Sequence, residues 1–443
     1  MKRVYIKDLH DHIGAEVTVA GWVDVRRDQG KLIFIELRDM TGQIQTVSFA
    51  GNKEAHGVME TLRPEWVVEI KGSVNKRPEK TVNSDLETGD IEIEAKEIFV
   101  LSKAQELPFE KDAELNLDTH LDYLPLTLRT ERSQNIFKLQ ATLIETFRSA
   151  LREQFFIEFQ APEIVGSDAE GGANVFKVEY FNDKVAYLAT SPQFYKQIMV
   201  GVFERVFTTP KAFRAEKHST TRHLNEYATL DFEMGFIKDH RDVMAVLEGV
   251  VKHLIKTVSE KHANIFKLFD VEIPRIPDAI PVLKLREAQE IIKKETGEDC
   301  SKEPDLEPAH ERFLCEYSRD TLNSDFLFIT HYPVSKRPFY THEDEGDTGY
   351  TKSFDLLFRG VEITTGGQRI HDHDTLVGKM KARGLDPEKF SYYLQAFKYG
   401  MPPHGGCATG LERLTQKFLN LENVKEATLF PREINRIDTL LSE

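Results

Sequence analysis

The chain has 443 residues, 58 Lys and Arg against 73 Asp and Glu for a formal charge of −15, and 40% apolar residues, which fits a globular protein of two or three domains. Its three cysteines, Cys300, Cys315 and Cys407, lack CxxC spacing; with no apolar run for a signal peptide or a membrane span, a disulfide scaffold, a cysteine zinc site and a membrane protein are excluded and a cytoplasmic location is expected. The acidic total lowers the expectation of a nucleic-acid partner without removing it, because a local basic groove can still neutralise phosphates.

In chain order, residues 1–103 read as all-β. β-rich runs occur at VTVAGWVDVRR (17–27), LIFIELRD (32–39), IQTVSFA (44–50), WVVEIKGSVNK (66–76) and DIEIEAKEIFVL (90–101), with a helical stretch at 54–62. Five strands with a helix between the third and fourth is the layout of an OB-fold barrel, a platform for oligonucleotides. In the second run, alternation sets Ile33, Ile35 and Leu37 on one face and Leu32, Phe34 and Glu36 on the other. Phe34 then stands opposite the apolar set, where its ring could stack on a base; the competing reading is barrel packing. Simple alternation does not bring Arg27 and Gln45 onto the Phe34 face.

The polar stretch 104–130 reads as a hinge. An amphipathic helix follows over about 131–153, with Ile136, Leu139, Leu143, Phe147 and Leu151 at helical spacing, then a strand, FFIEFQAPEI, ending near Pro162. The remainder, to residue 443, alternates strands and helices in α+β fashion. A strong helix is expected at 240–263 and a helical insertion at about 283–325.

Four segments carry unusual chemistry: SPQFYKQ (191–197), FRAEKHSTTRHLNEYATLDFEMGF (213–236), KSFDLLFRGVEITTGGQRIHD (352–372) and GMPPHGGCATGLERL (400–414). The set suits ATP-dependent activation of an acid, since attack of a carboxylate on the α-phosphate needs cations to offset charge on both partners. Arg214, Arg369 and Arg413 could supply bidentate clamps, and Asp355 and Glu362 could hold Mg²⁺ shared with phosphate oxygens. The chain has no Gly-x-x-x-x-Gly-Lys-Ser/Thr loop, so ATP would be bound outside the P-loop class. Nor is there a Ser–His–Asp or Cys–His arrangement to suggest a covalent nucleophile.

FRAE with its downstream RHLNE resembles motif 2 of the class II aminoacyl-tRNA synthetases (about 205–236), and GLERL resembles motif 3 (about 400–420). The helix and strand of about 131–162 resemble motif 1, which builds the dimer interface of that class. SPQFYKQ and KSFDLLFRGVEITTGGQRIHD resemble the aspartyl branch of its class IIb subgroup. The barrel looks bacterial, whereas the catalytic part, without a large insertion between motifs 2 and 3, looks archaeal or eukaryotic.

This resemblance implies an antiparallel sheet flanked by helices, L-aspartate, ATP and tRNA(Asp) as substrates, Mg²⁺ as cofactor and a homodimer. It implies that Arg214, Arg413, Glu216 and His223 are catalytic, and that Tyr227 and Glu362 join them in holding ATP. Glu362, Asp355 and Thr365 would bind the metal. Glu170, Ser191, Gln193, Lys196, Asp231 and Arg369 would bind aspartate, with Glu170 on the substrate ammonium. Arg369 and Lys196 would grip the side-chain carboxylate, Asp231 pairing with Lys196. Asparaginyl relatives typically carry an acidic residue in place of Lys196, so Lys196 discriminates most between the two amino acids. Arg27, Phe34 and Gln45 would read the central anticodon base, and Arg77, Asn83 and Glu92 would approach the first. Gln29 matches neither residue expected at a position separating tRNA(Asp)-specific enzymes from those also charging tRNA(Asn), so that breadth stays open.

Blander readings compete at several positions. Lys196, Arg369 and Asp231 could be a structural charge network. The HDHD run (371–374) reads as helix-start capping rather than a metal site, His404 as a turn or ATP-loop residue, and Cys407 as a small packed residue.

Overall fold

Apolar residues at every second position of the first five strands point inward and close them into a barrel. The computed structural model describes residues 2–84, 86–110, 113–166, 174–217 and 219–438, and the chain divides into two units, Met1–Glu114 and Leu115–Glu443. In the first unit β1 (Glu16–Asp28), β2 (Leu32–Arg38), β3 (Gln43–Phe49), β4 (Val67–Lys76) and β5 (Ile91–Ser102) form a closed barrel in the order β1–β2–β3–β5–β4. The helix α1 (Lys53–Thr61) lies between β3 and β4, its start capped by Asn52, whose side chain accepts from the Ala55 amide. Met59 of α1 joins Ile33, Ile35, Leu37, Ile70 and Ile93 in the core. A 3₁₀ turn at Ile6–His12, with no signal in the sequence periodicity, adds Ile6 and Leu9 to it.

The β1–β2 register shifts between Val23 and Val25. Such a bulge inserts one residue and turns every following side chain to the other face. Without it, the inward series Val17, Val19, Val23 would carry Arg27 into the core. With it, Arg27 stands directly across from Phe34. The inserted Asp24 is buried and accepts from Arg38 at 3.0 Å.

The second unit is built on a nine-stranded sheet. Eight strands follow the order Val282–Lys284, Phe326–Thr330, Ser353–Phe358, Val361–Arg369, His404–Gly410, Glu226–Gly235, Arg205–Thr208 and Ile157–Glu158; Lys211–Phe213 pairs with Glu226–Gly235 beside this path. The centre is antiparallel, but both edge strands pair in parallel, so the sheet is mixed. Helices Glu131–Arg152 and His240–Lys261 cover one face, where Leu143, Phe147, Leu247 and Leu254 pack with Phe232, Phe354 and Phe358. Thr130 and Asp239 cap these helices through the Ser133 and Arg241 amides.

Where a strand was expected as far as Pro162, there are two short pairings, Ile157–Glu158 and Ile164–Val165, consistent with a proline that offers no amide to a ladder. In the stretch read as a hinge, Leu117–Asp122 and Leu124–Thr127 are short helices. The insertion holds helices Leu285–Thr296 and Pro308–Leu322 between the edge strand Val282–Lys284 and its neighbour Phe326–Thr330.

Two glycines matter to the site. A Cβ on Gly406 would meet the Phe232 carbonyl oxygen at 2.1 Å and a Glu233 carboxylate oxygen at 2.2 Å, so only glycine lets that carboxylate lie beneath the strand. Gly360, at φ +85°, follows Arg359 at φ 46° in the turn joining Ser353–Phe358 to Val361–Arg369, and a register shift between Leu356 and Leu357 then sets Asp355 opposite Thr365.

Candidate active site

Strand Glu226–Gly235 decides the chemistry by alternation. Leu230, Phe232 and Met234 enter the core beneath the helices, and Asp231 and Glu233 therefore take the opposite face. There they meet Lys196, from helix Gln193–Phe203, and Arg369, from the end of Val361–Arg369. Lys196 Nζ donates to Asp231 at 2.9 Å and to the Cys407 carbonyl at 3.1 Å, and lies 3.4 Å from Glu233. Arg369 donates to Glu233 at 2.9 Å and to the Gly406 carbonyl at 2.9 Å. All four side chains are buried, at 6% exposure or less. Burial works to raise the Glu233 carboxyl, yet Arg369 and Lys196 hold it below the ordinary range. Glu233 is the member that the sequence reading missed; two carboxylates alternating with Leu230, Phe232 and Met234 were the available signal.

This floor belongs to a cavity of about 400 Å³ whose walls include Ser191, Gln193, Lys196, Arg214, Glu216, His223, Tyr227, Asp231, Glu362, Thr365, Arg369 and Arg413. Buried polar atoms at its surface lack partners: Gln193 Nε2, Thr229 Oγ1 and Asp231 Oδ1. An amide donor, a hydroxyl that can donate or accept and a carboxylate oxygen, left open beside two cations, suit a small zwitterion. Glu170, expected on the substrate ammonium, lies outside the described residues.

The second wall comes from the hairpin around 214–226. Asn225 stitches it: the Arg214 amide donates to the Asn225 carbonyl at 2.9 Å, and Asn225 Nδ2 returns to the Arg214 carbonyl at 2.5 Å. The Arg214 guanidinium lies 5.9 Å from the centre of the Tyr227 ring. His223 approaches Glu216 at 3.7 Å and Thr220 Oγ1 at 2.7 Å. From the opposite side, Arg413 donates to the Glu362 carbonyl at 3.1 Å. Its neighbour Glu412 is turned away from solvent under the Ala228 amide, and burial pushes its carboxyl up to about 7.

Glu362 accepts from Thr365 at 2.7 Å; burial raises its carboxyl, but Arg413 and the Thr365 bond keep it below the ordinary range. Asp355, paired in register with Thr365, receives Arg337 on one oxygen at 2.7 Å and leaves Oδ1 buried and unpartnered. Burial, with Glu362 nearby, pushes Asp355 up to about 7. An orphaned carboxylate oxygen beside a second carboxylate and a hydroxyl fits a hard dication that takes its other ligands from phosphates and water. The described residues hold no cluster of three or more His, Cys, Asp or Glu that would cage a metal alone. Arg337 was missed because it lies in the loop 331–352, outside every motif read from the sequence.

His404 opens strand His404–Gly410, is fully buried and is absent from the cavity wall, which corrects its reading as a turn or ATP-loop residue. Tyr393 donates to Gln197 Oε1 at 3.0 Å, Gln197 Nε2 donates to His404 Nε2 at 2.9 Å, and His404 Nδ1 donates to the Pro402 carbonyl at 2.9 Å. This chain needs a neutral imidazole, and burial pushes its pKa down from 6.5 to about 4. A depressed histidine contributes stability above pH 6.5 that is lost as pH falls to 4, on the order of 3 kcal/mol. In denaturant melts His404→Asn should therefore lose about that much less than wild type across this window; parallel pH profiles would contradict it. The HDHD run starts helix His373–Ala382, with Asp372 accepting from the Thr375 amide at 2.8 Å, and Cys300, Cys315 and Cys407 are buried free thiols.

On the barrel, register puts residues together that simple alternation did not. Arg27 stands opposite Phe34, Glu36 opposite Gln45, and Glu92 opposite Asn75. Arg27 donates to Glu36 and Gln45 to Glu92, each at 2.7 Å, beside a half-buried Phe34. Arg77 and Asn83 lie in the segment between β4 and β5, where the Arg77 amide donates to the Asp90 carbonyl at 2.7 Å.

Residues 116–434 match the family model of class II tRNA synthetases (D, K and N), and residues 17–101 match that of the OB-fold nucleic acid binding domain. An Aspartate–tRNA(Asp/Asn) ligase of Thermus thermophilus is 45% identical over 98% of this chain and 99% of its own. An Aspartate–tRNA(Asp) ligase of Picrophilus torridus is 41% identical over 98% and 99%. The solved asparaginyl-tRNA synthetase of Pyrococcus horikoshii with asparaginyl-adenylate aligns at a TM-score of 0.91 and 30% identity, over 99% of this chain and 100% of that one.

Proposed function

The chain belongs to the class II tRNA synthetases, and from that premise we infer that it joins L-aspartate to tRNA(Asp) at the expense of ATP. The observation that carries the choice of amino acid is the buried Lys196–Arg369 pair on the cavity floor. Similarity to an asparaginyl enzyme at a TM-score of 0.91 means that the fold does not select the amino acid. A side-chain carboxylate would gain charge-assisted hydrogen bonds from both cations, whereas an amide would leave one underpaired at about 1–3 kcal/mol. Asp231 and Glu233 hold the cations in place and keep the network neutral before substrate arrives.

In the first step an oxygen of the aspartate α-carboxylate attacks the α-phosphorus, and pyrophosphate leaves. Arg214 is proposed to take the charge developing on the α-phosphate, and Arg413 the far end of the nucleotide. Glu216 and His223 are proposed to contact ATP from the motif 2 hairpin, with Tyr227 against adenine. Ser191 and Gln193 complete the aspartate subsite. Glu362, Asp355 and Thr365 would hold Mg²⁺, which neutralises triphosphate charge when bound. The 3′-hydroxyl of the terminal adenosine then attacks the activated carbonyl, and AMP leaves. Positioning and electrostatics carry the rate, with no covalent enzyme intermediate.

The barrel supplies the anticodon reader, with Arg27, Phe34 and Gln45 on the central base and Arg77, Asn83 and Glu92 near the first. tRNA(Asn) is the second acceptor to measure, since relatives named for both tRNAs and for tRNA(Asp) alone match the full chain almost equally. A homodimer is proposed across the sheet edge at Ile157–Glu158, supported by exposed Phe155 and Ile157. No described helix is long and apolar enough to cross a membrane.

Exchange of labelled pyrophosphate into ATP should require aspartate and not respond to asparagine; exchange supported equally by both would refute the assigned specificity. Phe34→Ala should lower tRNA charging by about tenfold to a hundredfold, as loss of one base stack does, and leave exchange unchanged. Unaltered charging would return Phe34 to barrel packing.

A further inference from the structure

The insertion carries a residue up behind the wall proposed to hold ATP, against two of the residues that line it. Glu311, on helix Pro308–Leu322, has a side chain only 11% exposed. Its Oε2 accepts from the Arg222 guanidinium and, at 3.3 Å, from the backbone amide of Glu362. Arg222 belongs to the hairpin loop on one side of the cavity and Glu362 to the strand on the other, and both line it. One carboxylate oxygen therefore ties two walls that the sheet does not connect directly. Other bonds on the same loop fix its backbone and a hydroxyl: Val424 donates to the Thr221 carbonyl at 3.0 Å, and Lys425 to Ser219 Oγ at 3.2 Å. The Glu311 bond fixes a cationic head.

We propose that Glu311 is a positioning residue for ATP, acting through Arg222 and through the backbone of Glu362. The inference rests on the reaction proposed above. Electrostatics and positioning predict opposite signs here. A carboxylate beside a triphosphate repels it, so removing the charge alone would tighten ATP binding. A carboxylate that aims Arg222 has the reverse effect, because a guanidinium free to swing loses its preorganisation.

The test measures pyrophosphate exchange by the full-length protein against ATP and aspartate separately, with melting temperature alongside. Glu311→Gln, which keeps an acceptor but loses the charge, should raise KM for ATP by about threefold to fivefold. Glu311→Ala should raise it about tenfold or more, the range for losing a hydrogen bond to a charged group. KM for aspartate should stay within about twofold in both variants. Adding Glu311→Ala to Arg222→Ala should cost less than Glu311→Ala costs on its own, the remainder being the bond to the Glu362 amide that Arg222→Ala leaves intact. A lowered KM for ATP in Glu311→Gln, or equal changes for ATP and aspartate, would overturn the proposal. If Glu311→Ala fails to fold, Glu311→Gln decides by itself. Absence of exchange in the wild type would count against the reaction instead; calorimetry of Mg·ATP binding to the same variants then decides Glu311 by the same ranking.

Discussion

Arg369→Ala is expected to abolish aspartate activation, lowering kcat/KM for aspartate in pyrophosphate exchange by about a thousandfold or more, while the barrel continues to bind tRNA. Arg369 is buried and its guanidinium is already committed to Glu233 and the Gly406 carbonyl. Its loss would remove one of the two cations proposed to meet the substrate and leave Glu233 compensated by Lys196 at 3.4 Å without its guanidinium partner. Truncating one partner of a buried, hydrogen-bonded charge pair between protein and ligand costs about 2–5 kcal/mol of binding, the upper part of which corresponds to a factor of about a thousand. Arg369→Lys should recover little, because an ammonium cannot reproduce the fork that holds Glu233 and Gly406 together. Exchange within tenfold of wild type in a folded Arg369→Ala protein would refute the assigned role.

Arg214→Ala should stop adenylate formation at a different point. Arg214 lines the cavity with its backbone fixed on both sides by Asn225, so the side chain can be removed without loosening the hairpin. The cation is proposed to meet charge that grows on the α-phosphate only as the bond to pyrophosphate breaks, and such interactions act on kcat. The expected loss is about a hundredfold to a thousandfold in kcat for exchange, with aspartate affinity measured by calorimetry within about twofold. A rise in KM for ATP with unchanged kcat would instead make Arg214 a ground-state binding residue.

How much was legible differs between the two units for a physical reason. The barrel strands bury one face, so period-two alternation located all five and put Phe34 on its observed face. The Asp24 bulge is invisible to alternation, and it alone decides that Arg27 stands across from Phe34. In the synthetase unit the sheet is covered on both faces, as the fully buried strands Phe326–Thr330 and Ser353–Phe358 show, and alternation there says less about orientation. The motif residues were legible through their resemblance to the class II synthetase motifs, and the fold brings Arg214, Glu362, Arg369 and Arg413 to one cavity. Their partners were not. Glu233 was passed over although it sits two residues from Asp231, while Arg337 and Glu311 come from a loop and an insertion whose sequences announce no role. Gln197 and Tyr393 are bonded in series to His404, and only the folded chain brings the three together.

The most direct test of the central claim is charging of purified tRNA(Asp) and tRNA(Asn) transcripts with labelled aspartate, with labelled asparagine as the parallel control. The account predicts aspartate on tRNA(Asp) and no asparagine on either tRNA, the tRNA(Asn) lane reporting how broadly the barrel reads anticodons. Asparagine on tRNA(Asn) without aspartate on tRNA(Asp), or no charging at all by folded protein, would contradict it.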